Sequence, residues 1–370
     1  MNILFIYNQI CQKERKGLFR ECIPIKDVDA IRQALIETNY HIFSLDLFSP
    51  GQLDEFISKH RHIDLAFVLA EGYKDMPHSL YSGYGAAMVR KQLDSYSIPY
   101  NLSGIESMEI CRNKDLTYNK LKKKNVLVPD YLVFDTHFRF NKIKLLPQIE
   151  KIGFPLMVKP AGGGDSIGIT PKSIIHSLQE LKNRYLCLKK ELGPEKLIIE
   201  KYLPGREYTV GVLGNKFKKY ILPIIGFPKT HGIRDTATKN KEYKIRYKFE
   251  KIYQGNEKFK KLARIAINTF DAVGAYDAIR IDLKEDESGN IYVIDVNGTP
   301  ALSLSGSFTF MASKVGLTHT QLIHLILYES LVRYNLAPDY LLKKIIFQIQ
   351  IRLASYNTNK DKKDRETSLI

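Results

Sequence analysis

The sequence predicts an α/β and α+β protein, with a parallel α/β layer at the N-terminus followed by mixed strand-and-helix segments. Three observations carry this. Strand-like and helix-like runs alternate through the first third, the pattern of a parallel sheet with crossover helices. Strands and loops dominate after about residue 197. Near the end, two alternating strands flank a short turn.

In order, Asn2 to Tyr7 reads as a buried strand, and Val28 to Thr38 has helical apolar spacing at Val28, Ile31, Leu35 and Ile36. Tyr40 to Leu45 is a strand, Gln52 to His60 a helix, Leu65 to Ala70 a strand and Gly85 to Tyr96 a helix. A strand-like piece follows at Pro99 to Leu102, then a polar helix at Asn113 to Asn125. Strands are expected at Tyr131 to Phe134, Leu156 to Lys159, Leu197 to Glu200, Tyr208 to Leu213 and Tyr220 to Ile225. A helix fits Glu257 to Phe270, the two strands follow, and another helix fits Thr318 to Tyr334. A basic amphipathic segment spans Tyr340 to Ala354, and the polar tail from Ser355 is too charged to build a core.

The 370 residues suggest two or three domains at roughly 100–200 residues each. No run reaches the ~18–20 apolar residues of a membrane helix, and Met1 to Tyr7 reads as a strand, not a signal peptide. A cytoplasmic protein with no membrane partner is expected. Cys11, Cys22, Cys111 and Cys187 form no CxxC pair, and HExxH is absent, which argues against a zinc or disulfide framework. The net charge of +16 leaves a polyanionic partner open. Its lysines are scattered, however, so solvated faces are the preferred reading and nucleic acid the lesser one.

The strongest chemical signal is the pair of late strands. In Ala278-Ile279-Arg280-Ile281-Asp282-Leu283, alternation puts Arg280 and Asp282 on one face. In Ile291-Tyr292-Val293-Ile294-Asp295-Val296-Asn297, Asp295 and Asn297 share a face. Paired as a hairpin, the four converge. Two carboxylates and an amide oxygen suit Mg²⁺, and an adjacent arginine suits a transferring phosphoryl group. A solvated edge hairpin is the plain alternative.

Two further segments add to it. Phe154 to Pro160 is a strand ending in Lys159, followed by the glycine-rich run Ala161-Gly162-Gly163-Gly164-Asp165-Ser166-Ile167-Gly168. Backbone N–H groups there can cradle phosphate beside the lysine. The run is neither a Walker loop nor a GxGxxG fingerprint. In Leu197 to Val210, Glu200 and Glu207 close a short strand connection, where carboxylates can accept from an adenine amine or ribose hydroxyls.

In order and spacing, these segments resemble the ATP-grasp ligases, and within them the D-alanine–D-alanine ligase group, over about residues 60 to 335. The resemblance implies an N-terminal α/β domain (1–112), a central subdomain with the glycine-rich loop (113–196), a C-terminal subdomain with the metal site (197–336) and an added helix and tail (337–370). It implies ATP, with one or two Mg²⁺ (Mn²⁺ as an alternative), enclosed between the two subdomains. By position, Lys114 and Lys159 resemble the phosphate-contacting lysines, with Gly163, Gly164 and Ser166 in the loop. Glu200, Lys201 and Leu203 resemble the adenine segment and Glu207 the ribose ligand. Asp282, Asp295 and Asn297 resemble the metal ligands, and Arg280 the arginine at the transferred phosphate. Lys239 resembles a lysine on a closing loop, and Ser307 sits where the family binds a substrate carboxylate.

The departures fall in one place. The family usually has glutamate where Asp295 stands. Of its Glu–Ser–Tyr set around the first substrate, the serine position reads Asp165 and the tyrosine position Asn240, with no glutamate motif after the first strand. An expected His-Gly reads Glu71-Gly72. The resemblance therefore implies a carboxylate–amine ligase working through an acyl phosphate on small amino acids or short peptides, with a substrate pair of its own. A nucleotide-binding module without catalysis is the alternative. A homodimer through 340–354 is left open.

Overall fold

Ile3, Leu4, Phe5 and Ile6 are all fully buried, as a strand covered on both faces must be. They form β1 (Asn2–Tyr7) in a computed structural model that describes residues 1–60, 62–81, 84–137, 139–164, 166–193, 196–228, 249–252 and 255–358. Two short strands, β2 (Gln9–Ile10) and β3 (Ile23–Pro24), flank a 3-10 turn at Gly17–Glu21 and lead into α1 (Ile25–Ile36). Then come β4 (His41–Asp46), α2 (Pro50–Lys59), capped by Ser49, and β5 (Leu65–Val68). The three longer strands make the expected parallel sheet, in the order β4-β1-β5.

Helices α3 (Pro77–Tyr81), α4 (Gly85–Ser95), α5 (Ile105–Arg112) and α6 (Lys114–Lys122) follow. The strand expected at Pro99 to Leu102 reduces to one bridge, Tyr100 with Ala66. The Asn101 side chain accepts from the Val68 N–H at 2.6 Å, and Leu102 turns to φ +60°, which ends the ladder.

A second, antiparallel sheet has the order β6-β9-β7-β8. It is built from β6 (Tyr131–Asp135), α7 (Lys142–Ile152), β7 (Leu156–Pro160), β8 (Ile174–Ile175), α8 (Leu178–Leu192) and β9 (Lys196–Lys201). Leu145, Ile149, Leu181 and Leu188 of the two helices cover Leu156, Val158 and Ile199. Neither helix is foreseen from the sequence: α7 carries Pro147 inside it, and α8 is mostly polar.

The third sheet has the order β13-β12-β10-β14-β15, with β11 also on β10. Its strands are β10 (Glu207–Gly214), β11 (Lys219–Ile221), β12 (Ile224–Gly226), β13 (Glu250–Ile252), β14 (Asp277–Glu285) and β15 (Ile291–Asn297), with α9 (Glu257–Val273) packed on it. The single strand expected at Tyr220 to Ile225 is split in two at Pro223, which has no N–H to donate to a ladder. Helices α10 (Ser307–Ser313), α11 (His319–Arg333) and α12 (Tyr340–Thr358) close the described chain. Helix α11 packs on α1, so Val28 and Leu35 share one core with Leu322 and Ile326. Helix α12 continues past Ser355, where the tail was expected to begin. Asn357 holds it, accepting from the Ile221 N–H at 3.3 Å.

Candidate active site

The hairpin β14–β15 forms as its alternation requires. Arg280 lies opposite Asn297 and Asp282 opposite Asp295, so all four share a face. Simple alternation fails at one point: a bulge makes Leu283 pair with Val293 and leaves Ile294 as the extra residue. The bulge lets Val293 and Val296, three apart, both face the core at 0% and 2% exposure. Without it, the register that buries Val293 would turn Asp295 inward.

Arg280 donates to both oxygens of Asp282, at 3.1 and 3.0 Å, and Thr209 on the neighbouring β10 donates to Asp282 Oδ1 at 2.7 Å. Asn297 Nδ2 donates to Asp295 Oδ2 at 3.3 Å. Lys114, at the start of α6, lies 3.4 Å from Asp295 Oδ1 and donates to the Gly163 carbonyl at 3.1 Å. Among the described residues no cluster of three or more His, Cys, Asp or Glu is assembled. Asp282, Asp295 and Asn297, the residues expected as metal ligands, bring two carboxylates and an amide to one face.

Lys159, next to last in β7, has its Nζ 2.7 Å from Glu200 Oε1 on the adjacent β9, both side chains almost fully buried. Tyr118 donates to Glu200 Oε2 at 2.8 Å, and Lys159 donates to the Ile294 carbonyl, freed by the bulge, at 3.3 Å. Burial, then the Glu200 charge, pushes the Tyr118 hydroxyl well above its ordinary pKa, so it stays a donor. Both Glu200 oxygens are engaged inside the protein, so its side chain orients Lys159 while it lines the cleft. The Lys201 ammonium turns away to the carbonyls of Gly153 and Phe154, both at 3.1 Å.

Between the second and third sheets these groups enclose a cleft of about 890 Å³. Lys114, Lys159, Gly163, Gly164 and Ser166 line it together with Arg280, Asp282 and Asp295. Met157, Ile169, Leu203 and Ile294 add apolar lining, and Glu207 and Lys284 line it 4.0 Å apart. Gly163 sits at φ +77°, and a Cβ there would lie 2.4 Å from the Tyr81 ring. A Cβ on Gly164 would lie 2.5 Å from Glu21 Oε1. The loop thus needs glycine because α3 and the 3-10 turn press against it.

A wider cavity of about 2010 Å³ shares Arg280 and Asp282 with the cleft. Asn297 and Ser307 line this cavity. At its inner wall Arg112 lies 3.6 Å from both Glu21 and Glu71, all three nearly buried. Burial chiefly, with Glu21 adding, raises the Glu71 pKa against the pull of Arg112. Burial opposes the Arg112 charge, but Glu71, Glu21 and Asp295 outweigh it and hold the guanidinium protonated. The sequence reading lacks Glu21, Arg112, Tyr118 and Lys284. Glu21, Arg112 and Tyr118 arrive from separate elements with no local pattern to mark them, whereas Lys284 continues the β14 alternation of Arg280 and Asp282. Lys239, Asp165 and Asn240 lie outside the described residues.

A family model described as "D-ala D-ala ligase C-terminus" matches residues 121–328, more than half of the chain and both sheets that form the cleft. The chain belongs to this D-alanine–D-alanine ligase family. A D-alanine–D-alanine ligase of Aquifex aeolicus is 27% identical over 313 residues, covering 82% of this chain and 94% of that protein. One from Buchnera aphidicola subsp. Schizaphis graminum is 29% identical over 311 residues, covering 81% and 92%. The crystal structure of the Bacillus anthracis D-alanine–D-alanine ligase complexed with ATP superposes with a TM-score of 0.69 at 23% identity, covering 90% of this chain and 99% of that one. The fold is accordingly the ATP-grasp fold, and the chain is a ligase of that class.

Proposed function

We propose that the chain is an ATP-dependent carboxylate–amine ligase that joins small amino acids or short peptides through an acyl phosphate, with a substrate pair other than two D-alanines. The observation that carries this is the meeting of two cavities at Arg280 and Asp282: a lysine-lined cleft on one side, a polar cavity on the other. A phosphoryl group passing between nucleotide and carboxylate has to cross at such a junction.

In this reading the glycine-rich loop and Lys114 and Lys159 hold the ATP phosphates, while Leu203, Met157 and Ile169 sandwich the base. Glu207 accepts from the ribose hydroxyls. Asp282, Asp295 and Asn297 fit one or two Mg²⁺ (or Mn²⁺), hard cations that prefer oxygen donors. When bound, that metal neutralises phosphate charge. Arg280, now held by Asp282, stabilises charge on the transferring group. The substrate carboxylate attacks the γ-phosphorus and ADP leaves; the amine of the second substrate then attacks the acyl carbon and phosphate leaves with an amide formed. Ser307 holds a substrate carboxylate. Glu21, packed on Gly164, brings a further carboxylate to the polar cavity.

The rewritten positions support a different substrate pair: Glu71 brings a buried carboxylate, tied to Arg112, where the family's histidine is expected. Incubation with ATP, Mg²⁺ and a pooled amino-acid and dipeptide library, read by mass, tests this. A product of two amino-acid units with matching ADP is expected. A product of D-alanine alone overturns the distinct pair. ADP-free incubations with every substrate favour a nucleotide-binding module without catalysis.

A further inference from the structure

Helix α12 lies beyond residue 328, where the family match ends, and the proposed ligase chemistry makes no use of it. Its inner stripe, Leu342, Ile346, Ile349 and Leu353, is buried against the preceding helix and β11. Its outer stripe is apolar as well. Tyr340, Phe347 and Ile351 are 81%, 66% and 53% exposed. Helical spacing sets them along one line with Lys344, and Lys343 borders it. A helix that is apolar on both sides is ordinarily covered on both.

Charge discriminates among the occupants. The helix holds Lys343, Lys344 and Arg352 and not one Asp or Glu. A second copy meeting it about a two-fold axis would set these cations against their equals. The chain's last twelve residues offer only Leu369 and Ile370 as large apolar side chains, too few to cover three. An anionic lipid surface satisfies both features at once: aromatic and aliphatic side chains enter the headgroup–acyl boundary while lysines reach the phosphates. We propose that α12 lies flat on an anionic bilayer surface, inserting Tyr340, Phe347 and Ile351, with Lys343 and Lys344 on lipid phosphate. None of the helices among the described residues is long and apolar enough to cross a membrane, so the attachment is in-plane and reversible. The expectation of no membrane partner rested on that test for crossing, which is blind to a helix lying flat.

Flotation of the full chain tests this, with vesicles of phosphatidylcholine alone and with about one third phosphatidylglycerol added. The chain is expected to float with the anionic vesicles, to stay behind with the neutral ones, and to be released by about 0.5 M salt. F347E/I351E should lower vesicle binding at least about tenfold. K343Q/K344Q should lower it roughly 25-fold, at about fivefold for each surface charge. Melting curves of both variants should match the parent, because the altered side chains are solvent-facing. No flotation with anionic vesicles, or unchanged flotation of F347E/I351E, overturns the proposal. So does a dimer in sedimentation that F347E/I351E dissolves while no vesicle binding occurs, which would assign the stripe to a second copy.

Discussion

At the scale of single residues, the site depends on charges that hold one another before any ligand arrives. Lys159 and Glu200 are a buried pair, so removing one partner strands the other. Glu200→Gln is expected to cost about 3 kcal/mol in urea unfolding. It should also raise the KM for ATP. The double change Lys159→Met with Glu200→Leu separates these effects: stability should recover while nucleotide affinity does not. If affinity recovers too, Lys159 is structural only. Asp295 is the second test. Asp295→Ala should abolish amine-dependent phosphate release and leave the unfolding curve in place, since the residue is one-quarter exposed. Normal turnover by that variant would remove the metal assignment. Asp295→Glu reports on the shorter side chain: a collapse of turnover indicates a site re-tuned around aspartate, unchanged turnover a tolerated exchange.

At the scale of elements, the glycine-rich loop is shaped from outside. Helix α3 places the Tyr81 ring where a side chain on Gly163 would stand. Gly163→Ala combines that clash with a left-handed backbone, which costs an L-residue about 1–2 kcal/mol locally. The loop should shift, and KM for ATP should rise by about tenfold, the kinetic equivalent of ~1.4 kcal/mol. Adding Tyr81→Ala should restore part of the loss; no restoration would mean that backbone conformation alone is at stake. The hairpin shows the same dependence on neighbours. Its turn and its alternating faces are local properties, and they are legible in the sequence. The bulge at Ile294 is not, because it is selected by what Val293 and Val296 must both pack against.

At the scale of the whole molecule, a polar hub ties the first sheet to the third. Asp277 accepts from the Leu102 N–H and from Ser330, each at 2.7 Å, and Arg333 donates to the Leu102 carbonyl at 2.6 Å. Beside it Glu329 accepts from Asn215 at 2.8 Å. Burial, and then the Asp277 charge, raises the Glu329 pKa to about 7 from 4.5. An acid whose pKa rises on folding supports the fold fully below its unfolded value and loses that support as pH climbs through the folded one. Glu329→Gln should therefore match the parent near pH 4 and exceed it near pH 8, by up to about 3 kcal/mol in denaturant unfolding. Equal stability at both values would show that the carboxylate titrates normally. By itself the sequence determined the alternating layers, the hairpin with its four converging polar side chains and the glycine run after Lys159, all properties of period and spacing within one segment. Only the tertiary structure decided that Glu200 serves Lys159, that Lys201 turns away, and that Glu21, Glu71 and Arg112 meet at a second cavity. Those contacts join residues far apart in the chain, and packing between elements sets such distances where no local repeat reaches.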